Sequence, residues 1–290
     1  MSRNNPRPEW LSVRLTPETS ASRVRACLRD LQLGTVCSSA QCPNRAECHN
    51  AGQATFLLMG PNCSRHCRYC AVTHAKPLPL QADEPERVAE AARRMGLRHV
   101  VITSVTRDDL PDGGAEHFAR TVRCVRGRLP EATVEILVPD FAGREASWDV
   151  SAACAPDVYN HNLETVARLF PQVRPEADYA RSLRQLAYIK EKFPALRTKS
   201  GLMVGLGETF AEILSAGRDL RAAQVDIITV GQYLAPDRNQ NYPVARYVTP
   251  EEFAELKREF TAMGFAAVAA APLVRSSYQA EETLREMQKR

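Results

Sequence analysis

The sequence has no run of about 18 consecutive apolar residues, which is roughly the length that a helix needs to cross a bilayer. The chain also lacks a large excess of either charge, because it has 38 basic and 34 acidic residues and a net charge of only +4. These two absences argue against a membrane protein and against a nucleic-acid-binding protein. The small basic excess is compatible with an acidic protein partner.

A secretory signal is missing as well, since residues 1–10 contain Arg, Asn and Pro and no apolar run. This stretch is also short for an organelle presequence. We therefore expect a cytoplasmic protein whose thiols stay reduced. No linker-like stretch divides the 290 residues, so one globular unit with a large core is expected.

Short β-rich segments alternate with segments of helical periodicity, which is typical of βα units around a parallel sheet. The six units predict an α/β fold, a partial (β/α)6 TIM-like barrel, with functional residues in the loops after the strands. The clearest helix start is Thr249-Pro250-Glu251-Glu252, a capping box with Pro at the first helical position. The six predicted strands are Thr55–Met59, His99–Ser104, Thr133–Val138, Val158–Asn160, Lys199–Val204 and Asp226–Val230.

Six of the nine cysteines form two triplets, and these are the strongest functional signal in the chain. The second triplet has the spacing C-x3-C-x2-C in a polar loop after the first predicted strand, so that three thiolates can converge on one iron–sulfur cluster. Because four irons then have three protein ligands, one iron keeps a position open for a substrate. The first triplet predicts another cluster. The first triplet is Cys37, Cys42 and Cys48, and the second is Cys63, Cys67 and Cys70.

Three simpler interpretations compete for these cysteines. One face of a buried helix would also space residues at i, i+4 and i+7, but the segment opens with Gly60-Pro61-Asn62 and carries polar residues between its cysteines. Zinc is an alternative because His49, His66 and His74 could supply fourth ligands, although the C-x2-C pair typical of zinc modules occurs only once. Disulfides fit poorly with nine cysteines, an odd number.

Motifs along most of the chain resemble those of the lipoyl synthases, a family of radical S-adenosylmethionine enzymes. C-x3-C-x2-C alone indicates only the radical superfamily, whereas C-x4-C-x5-C ahead of it and R-S-S-Y near the end are far more specific. The matching segments are the two triplets, residues 103–114, 159–165, 198–203, 205–208 and 231–234, and R-S-S-Y at 275–278.

The resemblance implies two 4Fe–4S clusters and S-adenosylmethionine as cofactors. The second triplet would hold the cluster that cleaves S-adenosylmethionine, and the first would hold an auxiliary cluster that donates sulfur. The implied reaction inserts sulfur at C6 and C8 of an octanoyl group on a lysine of a lipoyl carrier protein, either a lipoyl domain or the glycine cleavage H protein. A ferredoxin or flavodoxin electron donor and an iron–sulfur cluster carrier are the other implied partners.

The resemblance also implies individual site residues. The first serine of R-S-S-Y, Ser276, would be the fourth ligand of the auxiliary cluster, although a serine just before a helical run is otherwise an ordinary helix cap. The catalytic set is thus Cys63, Cys67, Cys70 and Ser276. The implied organisation is an N-terminal extension (1–50), a radical barrel (51–265) and a C-terminal extension (266–290) that closes the barrel mouth.

Binding residues for S-adenosylmethionine follow from the same resemblance. Asn162 and Glu164 would hold its ribose hydroxyls, Ser104 its amino-acid end, and Tyr69 would pack beside the adenine. Its carboxylate would pair with Arg181, or with Arg174 as the second choice, because a guanidinium suits bidentate recognition.

Some positions depart from the family pattern, namely His49, Ala271 and the 236–243 loop, which affect the expected carrier contacts. Cys27, Cys124 and Cys154 belong to no motif and are interpreted as structural. Two other functions remain open at this point: sulfur insertion into a free small molecule, as in biotin synthase, and a non-enzymatic module stapled by zinc.

Overall fold

The computed structural model describes residues 7–12, 20–237 and 241–288. Its main element is an eight-stranded sheet with the order β1-β2-β5-β6-β7-β8-β9-β10. Seven of these strands run parallel, and only β1 is antiparallel to its neighbour β2. The strands are β1 Gly34–Thr35, β2 Thr55–Leu58, β3 Asn62–Cys63, β4 Thr73–His74, β5 His99–Ser104, β6 Thr133–Leu137, β7 Val158–Asn160, β8 Arg197–Val204, β9 Ile227–Gln232 and β10 Ala267–Ala270.

Helices connect the parallel strands, as the alternating pattern predicts. Short 3-10 helices accompany them at Glu9–Leu11, Phe141–Gly143 and Ala167–Leu169. The α-helices are α1 Ala21–Asp30, α2 Val36–Ser39, α3 Arg45–Asn50, α4 Glu84–Met95, α5 Ala115–Arg128, α6 Glu145–Ala153, α7 Phe170–Val173, α8 Tyr179–Lys192, α9 Phe210–Ala222, α10 Pro250–Ala262 and α11 Ala280–Gln288.

The prediction of a partial TIM-like barrel is confirmed. β1 and β10 are the two edges of the described sheet, so the barrel stays open rather than closing on itself. Each of the six predicted strands is present, with ends shifted by at most two residues. The Thr249 capping box also forms, with Glu252 accepting from the Thr249 N–H.

A seventh parallel strand, β10, was missed because Ala267–Ala270 is short and built of small residues. It pairs with β9 from Ala267 opposite Ile227 to Ala270 opposite Val230. The sheet thus extends past residue 265, where the expected C-terminal extension begins.

The N-terminal and C-terminal segments meet at the carboxyl ends of the strands. Asn44 donates a side-chain hydrogen bond to the Leu273 carbonyl at 2.7 Å, and the Tyr278 hydroxyl donates to Glu47 at 2.9 Å. Gly231 near the end of β9 permits this approach, because a Cβ there would lie 1.9 Å from the Val274 carbonyl oxygen. These contacts bring the first triplet and R-S-S-Y to one end of the barrel.

The hydrophobic core lies between the sheet and its covering helices. One buried cluster centres on β2, β5, β6 and helices α4–α6, and another on β8, β9 and helices α9 and α10. Among the described residues, no helix is both long and apolar enough to span a bilayer.

Candidate active site

The second triplet lies in the loop that leaves β2. Met59 and Gly60 turn the chain with φ of 67° and 88°, in the left-handed region. The loop is closed at its base by β3 and β4, which pair Cys63 with His74. It is also tied to the next βα loop, since the Ser64 N–H donates to the Thr106 carbonyl at 3.1 Å. The loop therefore has fixed ends and a short span in which its cysteines converge.

The three thiols of the second triplet interact electrostatically. Burial raises the pKa of Cys70 to about 12, and the neighbouring Cys67 and Cys63 add to the effect. Two backbone N–H groups donate to sulfur, from Thr106 to Cys63 at 3.3 Å and from Val72 to Cys70 at 3.4 Å. A bound metal deprotonates a coordinating thiol even where burial raises its pKa. The environment fits an iron–sulfur cluster.

Buried arginines surround this loop and supply compensating positive charge. Arg65, which is 3% exposed, pairs with Asp108 at 2.6 Å and with Asp140 at 2.6 Å. Arg174, 7% exposed, donates to the carbonyls of Asn162 and Leu163. Burial raises the pKa of Cys67, and the Arg174 charge opposes that rise.

The first triplet lies in the segment before β2. Cys37 is on α2, whose Thr35 cap accepts from the Ser38 N–H, Cys48 is on α3, and Cys42 lies between these helices. Burial raises the pKa of Cys48 to about 12, with further contributions from Cys37 and Cys42. The three thiols are thus near neighbours. They line a small cavity of about 40 Å³ together with Arg275, Ser277 and Tyr278.

A larger cavity of about 430 Å³ lies between the two triplets. Cys37 and Cys42 line it from one triplet, and Cys67 and Cys70 line it from the other. Its size is within the range of ordinary ligand sites. Both predicted clusters would therefore be in contact with one cavity at the barrel mouth.

Several buried polar atoms in the lining of the large cavity have no partner in the described residues. They are Ser104 Oγ, His161 Nε2 and Arg174 Nε. His161 bonds to the Val138 carbonyl through Nδ1 at 2.9 Å, and burial lowers its pKa to about 4, so the ring is neutral near pH 7. A polar ligand with both donors and acceptors would satisfy such atoms.

Asn162 and Glu164 form the polar side of the same cavity. Asn162 donates to Glu164 at 3.1 Å, and burial raises the pKa of Glu164. Gly201 on β8 makes room for the amide, because a Cβ there would lie 2.8 Å from Asn162 Oδ1. Tyr69 also lines the cavity and interacts with Glu164.

The two candidate arginines are placed differently. Arg181 donates to Asp140 at 2.8 Å and to the Glu176 carbonyl at 3.3 Å, and it is absent from the lining of the large cavity. Arg174, the second choice from the sequence, does line it. The geometry therefore favours Arg174 over Arg181 as a carboxylate partner.

The two serines of R-S-S-Y also occupy different positions. Ser276 lines the large cavity, where its hydroxyl accepts from Asn160 at 2.7 Å and donates to Asn162 at 2.9 Å. Ser277 lines both cavities. Neither serine is an N-cap, because α11 begins at Ala280.

All nine cysteines are free, so the disulfide alternative is not realised. Cys27, Cys124 and Cys154 pack against the core cluster and line neither cavity. In the described ranges, no three His, Cys, Asp or Glu side chains are close enough to hold a single metal ion.

The departures from the family pattern lie close to the site. Asn241 donates to the Cys70 carbonyl at 2.9 Å and to the Arg68 carbonyl at 3.2 Å, so the end of the 236–243 loop packs on the second triplet's loop. Its residues 238–240 lie outside the described residues. His49 is buried at 3% exposure, and Ala271 follows β10.

Sequence reasoning missed a group of polar side chains on the strands themselves. Glu135, Asn160 and Lys199 are each at most 1% exposed, and they bond to one another beneath Ser276. The available signal was a charged residue inside an apolar strand, as in T-V-E-I-L at 133–137.

Comparison with known proteins gives consistent results. Residues 57–220 match the family model described as the radical SAM superfamily. The chain is 54% identical to the lipoyl synthase of Caldanaerobacter subterraneus, covering 95% of this chain and 96% of that protein. It is 50% identical to the lipoyl synthase of Edwardsiella ictaluri, covering 95% and 86% respectively.

Solved structures support the fold. A maturase of the FeFe hydrogenase superposes with a TM-score of 0.57 at 13% identity, covering 94% of this chain and 67% of that one. Methylornithine synthase gives a TM-score of 0.55 at 13% identity, covering 87% and 74%. At such identities the likeness extends to the fold alone.

Proposed function

The chain belongs to the lipoyl synthase family of radical S-adenosylmethionine enzymes, and from this premise we propose how its residues divide the reaction. The enzyme is a sulfurtransferase that inserts two sulfur atoms, at C6 and C8, into an octanoyl group carried on a protein lysine. Its cofactors are two 4Fe–4S clusters and S-adenosylmethionine. When bound, they supply a 5′-deoxyadenosyl radical that removes hydrogen and a sulfide that replaces it.

The observation that carries the assignment of residues is the shared cavity of about 430 Å³. A carbon radical is short-lived, so the site that generates it and the site that donates sulfur need a common space. Cys67 and Cys70 at one end and Cys37 and Cys42 at the other meet this need.

We assign Cys63, Cys67 and Cys70 to the cluster that binds S-adenosylmethionine. The buried Arg174 cation stabilises negative charge there, because it opposes the raised pKa of Cys67. The backbone N–H groups of Thr106 and Val72 donate to sulfur, which tunes a cluster's potential.

We assign the polar lining to S-adenosylmethionine itself. Asn162 and Glu164 are suited to its ribose hydroxyls, Ser104 to its amino-acid end and Tyr69 to a position beside its adenine. Arg174 is preferred over Arg181 for its carboxylate, because Arg174 has an unpartnered Nε and lines the cavity whereas Arg181 is engaged by Asp140. The unpartnered atoms of Ser104 and Arg174 support this set.

We assign Cys37, Cys42 and Cys48 to the auxiliary cluster and Ser276 as its fourth ligand. Ser276 lines the cavity with Cys37 and Cys42, which supports this choice. Ser277 is the alternative because it also lines the small cavity among all three cysteines. A serine oxygen is a harder ligand than a thiolate, which would ease loss of one iron when sulfur is donated.

An octanoylated carrier protein is the substrate that this reaction requires. We propose a lipoyl domain or a glycine cleavage H protein as the carrier, a ferredoxin or flavodoxin as the electron donor, and an iron–sulfur cluster carrier for repair of the auxiliary site. The net charge of +4 favours acidic partners. The same proposal includes a cytoplasmic location, an N-terminal extension at 1–50, a barrel that β10 carries from the expected end at 265 to Ala270, and the rest of 266–290 as the C-terminal extension.

Anaerobic reconstitution tests this proposal. The chain should bind about eight irons and as many sulfides, four of each in two clusters. With S-adenosylmethionine, reductant and an octanoylated carrier domain it should form the dihydrolipoyl product. Zinc without sulfide, or cleavage of S-adenosylmethionine with no sulfur added to the carrier, would contradict the assignment.

A further inference from the structure

A buried ion pair lies below the cavity and has no role in the reaction described above. Lys199 on β8 contacts both carboxylate oxygens of Glu135 on β6, at 2.8 and 3.0 Å, and each residue is 1% exposed. His99 on β5 lies 3.6 Å from the same carboxylate. Apolar residues in these positions would often stabilise a fold as well or better, so the ion pair calls for a specific explanation.

The ion pair fixes the orientation of one amide. Asn160 on β7 lies between β6 and β8, and its Nδ2 donates one N–H to Glu135 at 2.9 Å and the other to Ser276 Oγ at 2.7 Å. Rotating the amide by 180° would bring its carbonyl oxygen against the carboxylate, which repels it. Lys199 holds Glu135 ionised, so the N–H groups of Asn160 stay directed at Glu135 and Ser276.

The hydroxyl of Ser276 is thereby left with one free coordination direction. A serine hydroxyl has one donor and two acceptor lone pairs. Its proton is donated to Asn162 at 2.9 Å, and one lone pair accepts from Asn160. A single lone pair remains on an oxygen that lines the cavity shared with Cys37 and Cys42.

Ser277 provides a contrast within the same motif. Among the described residues, Ser277 has no side-chain hydrogen-bond partner, whereas Ser276 bonds to Asn160 on β7 and to Asn162 just after it. Hydrogen bonds from buried side chains are typical of the groups that orient metal ligands.

We propose that Asn160, held by Glu135 and Lys199, is a positioning residue that orients the Ser276 hydroxyl for iron in the auxiliary site. The inference rests on the proposed role of Ser276 as a ligand and deepens it. Asn160 itself touches neither cluster cysteines nor substrate in this account. Its effect is exerted through the serine.

Asn160→Leu tests this inference, because leucine keeps the volume and removes both N–H donors. The matched control is Gln185→Leu. Gln185 is fully buried and donates to the Pro139 carbonyl and the Tyr159 hydroxyl, and its carbonyl oxygen, like that of Asn160, has no partner among the described residues. Should Asn160→Leu fold poorly, the double variant Glu135→Gln with Lys199→Met removes the charges that orient the amide and leaves Asn160 in place.

Two readouts on the reconstituted holoenzyme separate positioning from general stability. One is the rate at which a chelator removes iron, which we expect Asn160→Leu to raise by about tenfold or more, as for other residues that orient metal ligands. The other is the Mössbauer signal of an oxygen-bound iron in enzyme enriched with ⁵⁷Fe, which should be lost. Ser276→Ala should behave in the same way, and combining it with Asn160→Leu should add nothing further.

Each outcome decides one question. If Ser276→Ala changes both readouts while Asn160→Leu matches Gln185→Leu, the positioning role is overturned and the ligand role stands. If Ser276→Ala changes neither readout, the ligand role itself fails and the inference with it. Equal effects of Gln185→Leu and Asn160→Leu would mark a general response to loss of a buried amide and would also overturn the positioning role.

Discussion

The two serines of R-S-S-Y are predicted to respond differently to replacement by alanine, because only Ser276 is assigned as a cluster ligand. Ser276→Ala removes an oxygen with two hydrogen bonds, at 2.7 Å from Asn160 and 2.9 Å to Asn162. At about 0.5–1.5 kcal/mol for each bond, the variant should lose about 1–3 kcal/mol of stability. Ser277→Ala removes a hydroxyl that has no side-chain hydrogen bond to any described residue, and it should change stability by no more than about 0.5 kcal/mol.

The catalytic effects should differ more than the stabilities. Ser276→Ala retains the second triplet, so S-adenosylmethionine is still cleaved, but the auxiliary site is held by three thiolates. Sulfur insertion should fall, and the ratio of 5′-deoxyadenosine to product should rise by about tenfold or more. Ser277→Ala should keep the wild-type ratio.

The assay is anaerobic turnover with an octanoylated carrier domain, with 5′-deoxyadenosine measured by chromatography and the carrier by mass spectrometry. Denaturant unfolding of both variants under identical conditions gives the stability difference. A normal ratio for Ser276→Ala with a raised ratio for Ser277→Ala would make Ser277 the ligand. Normal ratios for both would refute a serine ligand in this chain.

Three further predictions concern separate parts of the structure. Cys67→Ala should abolish reductive cleavage of S-adenosylmethionine and leave about four irons in the auxiliary site, so normal 5′-deoxyadenosine formation would contradict the role of the second triplet. Cys42→Ala should still cleave S-adenosylmethionine and insert no sulfur, and dihydrolipoyl product at wild-type yield would remove Cys42 from the donor site. Lys199→Met removes the ammonium paired with the 1%-exposed Glu135 carboxylate and should cost about 3–5 kcal/mol at pH 7. Lys192→Met, which breaks a surface pair with Asp149 at 2.7 Å, should lower the denaturant midpoint much less than Lys199→Met, and equal midpoints for the two variants would refute the ion-pair argument.

Much of the fold is readable from the sequence because each strand is a compact β-rich segment between helical ones. The Thr249 capping box is local chemistry, so the start of α10 is readable as well. β10 was missed because its four small residues have little pattern of their own and depend on β9 for their pairing. Strand assignment there is decided by tertiary contacts.

Some residues of the candidate site can also be predicted from the sequence, and others cannot. Cys63, Cys67 and Cys70 are close in sequence, so their spacing alone predicts convergence. The choice between Arg174 and Arg181 depends on Asp140, which engages Arg181 from across the fold at 2.8 Å. No local pattern contains that information, and the same holds for Asn160, whose side-chain partners Glu135 and Ser276 come from two other segments.

The central claim is that sulfur passes from the first triplet's cluster to the substrate in the shared cavity. The most direct test is reconstitution of that cluster with ³⁴S-labelled sulfide, followed by a single turnover with unlabelled S-adenosylmethionine and octanoylated carrier. Mass spectrometry should find both inserted sulfur atoms labelled, and Cys42→Ala should yield no labelled product. Unlabelled sulfur in the wild-type product would contradict the claim.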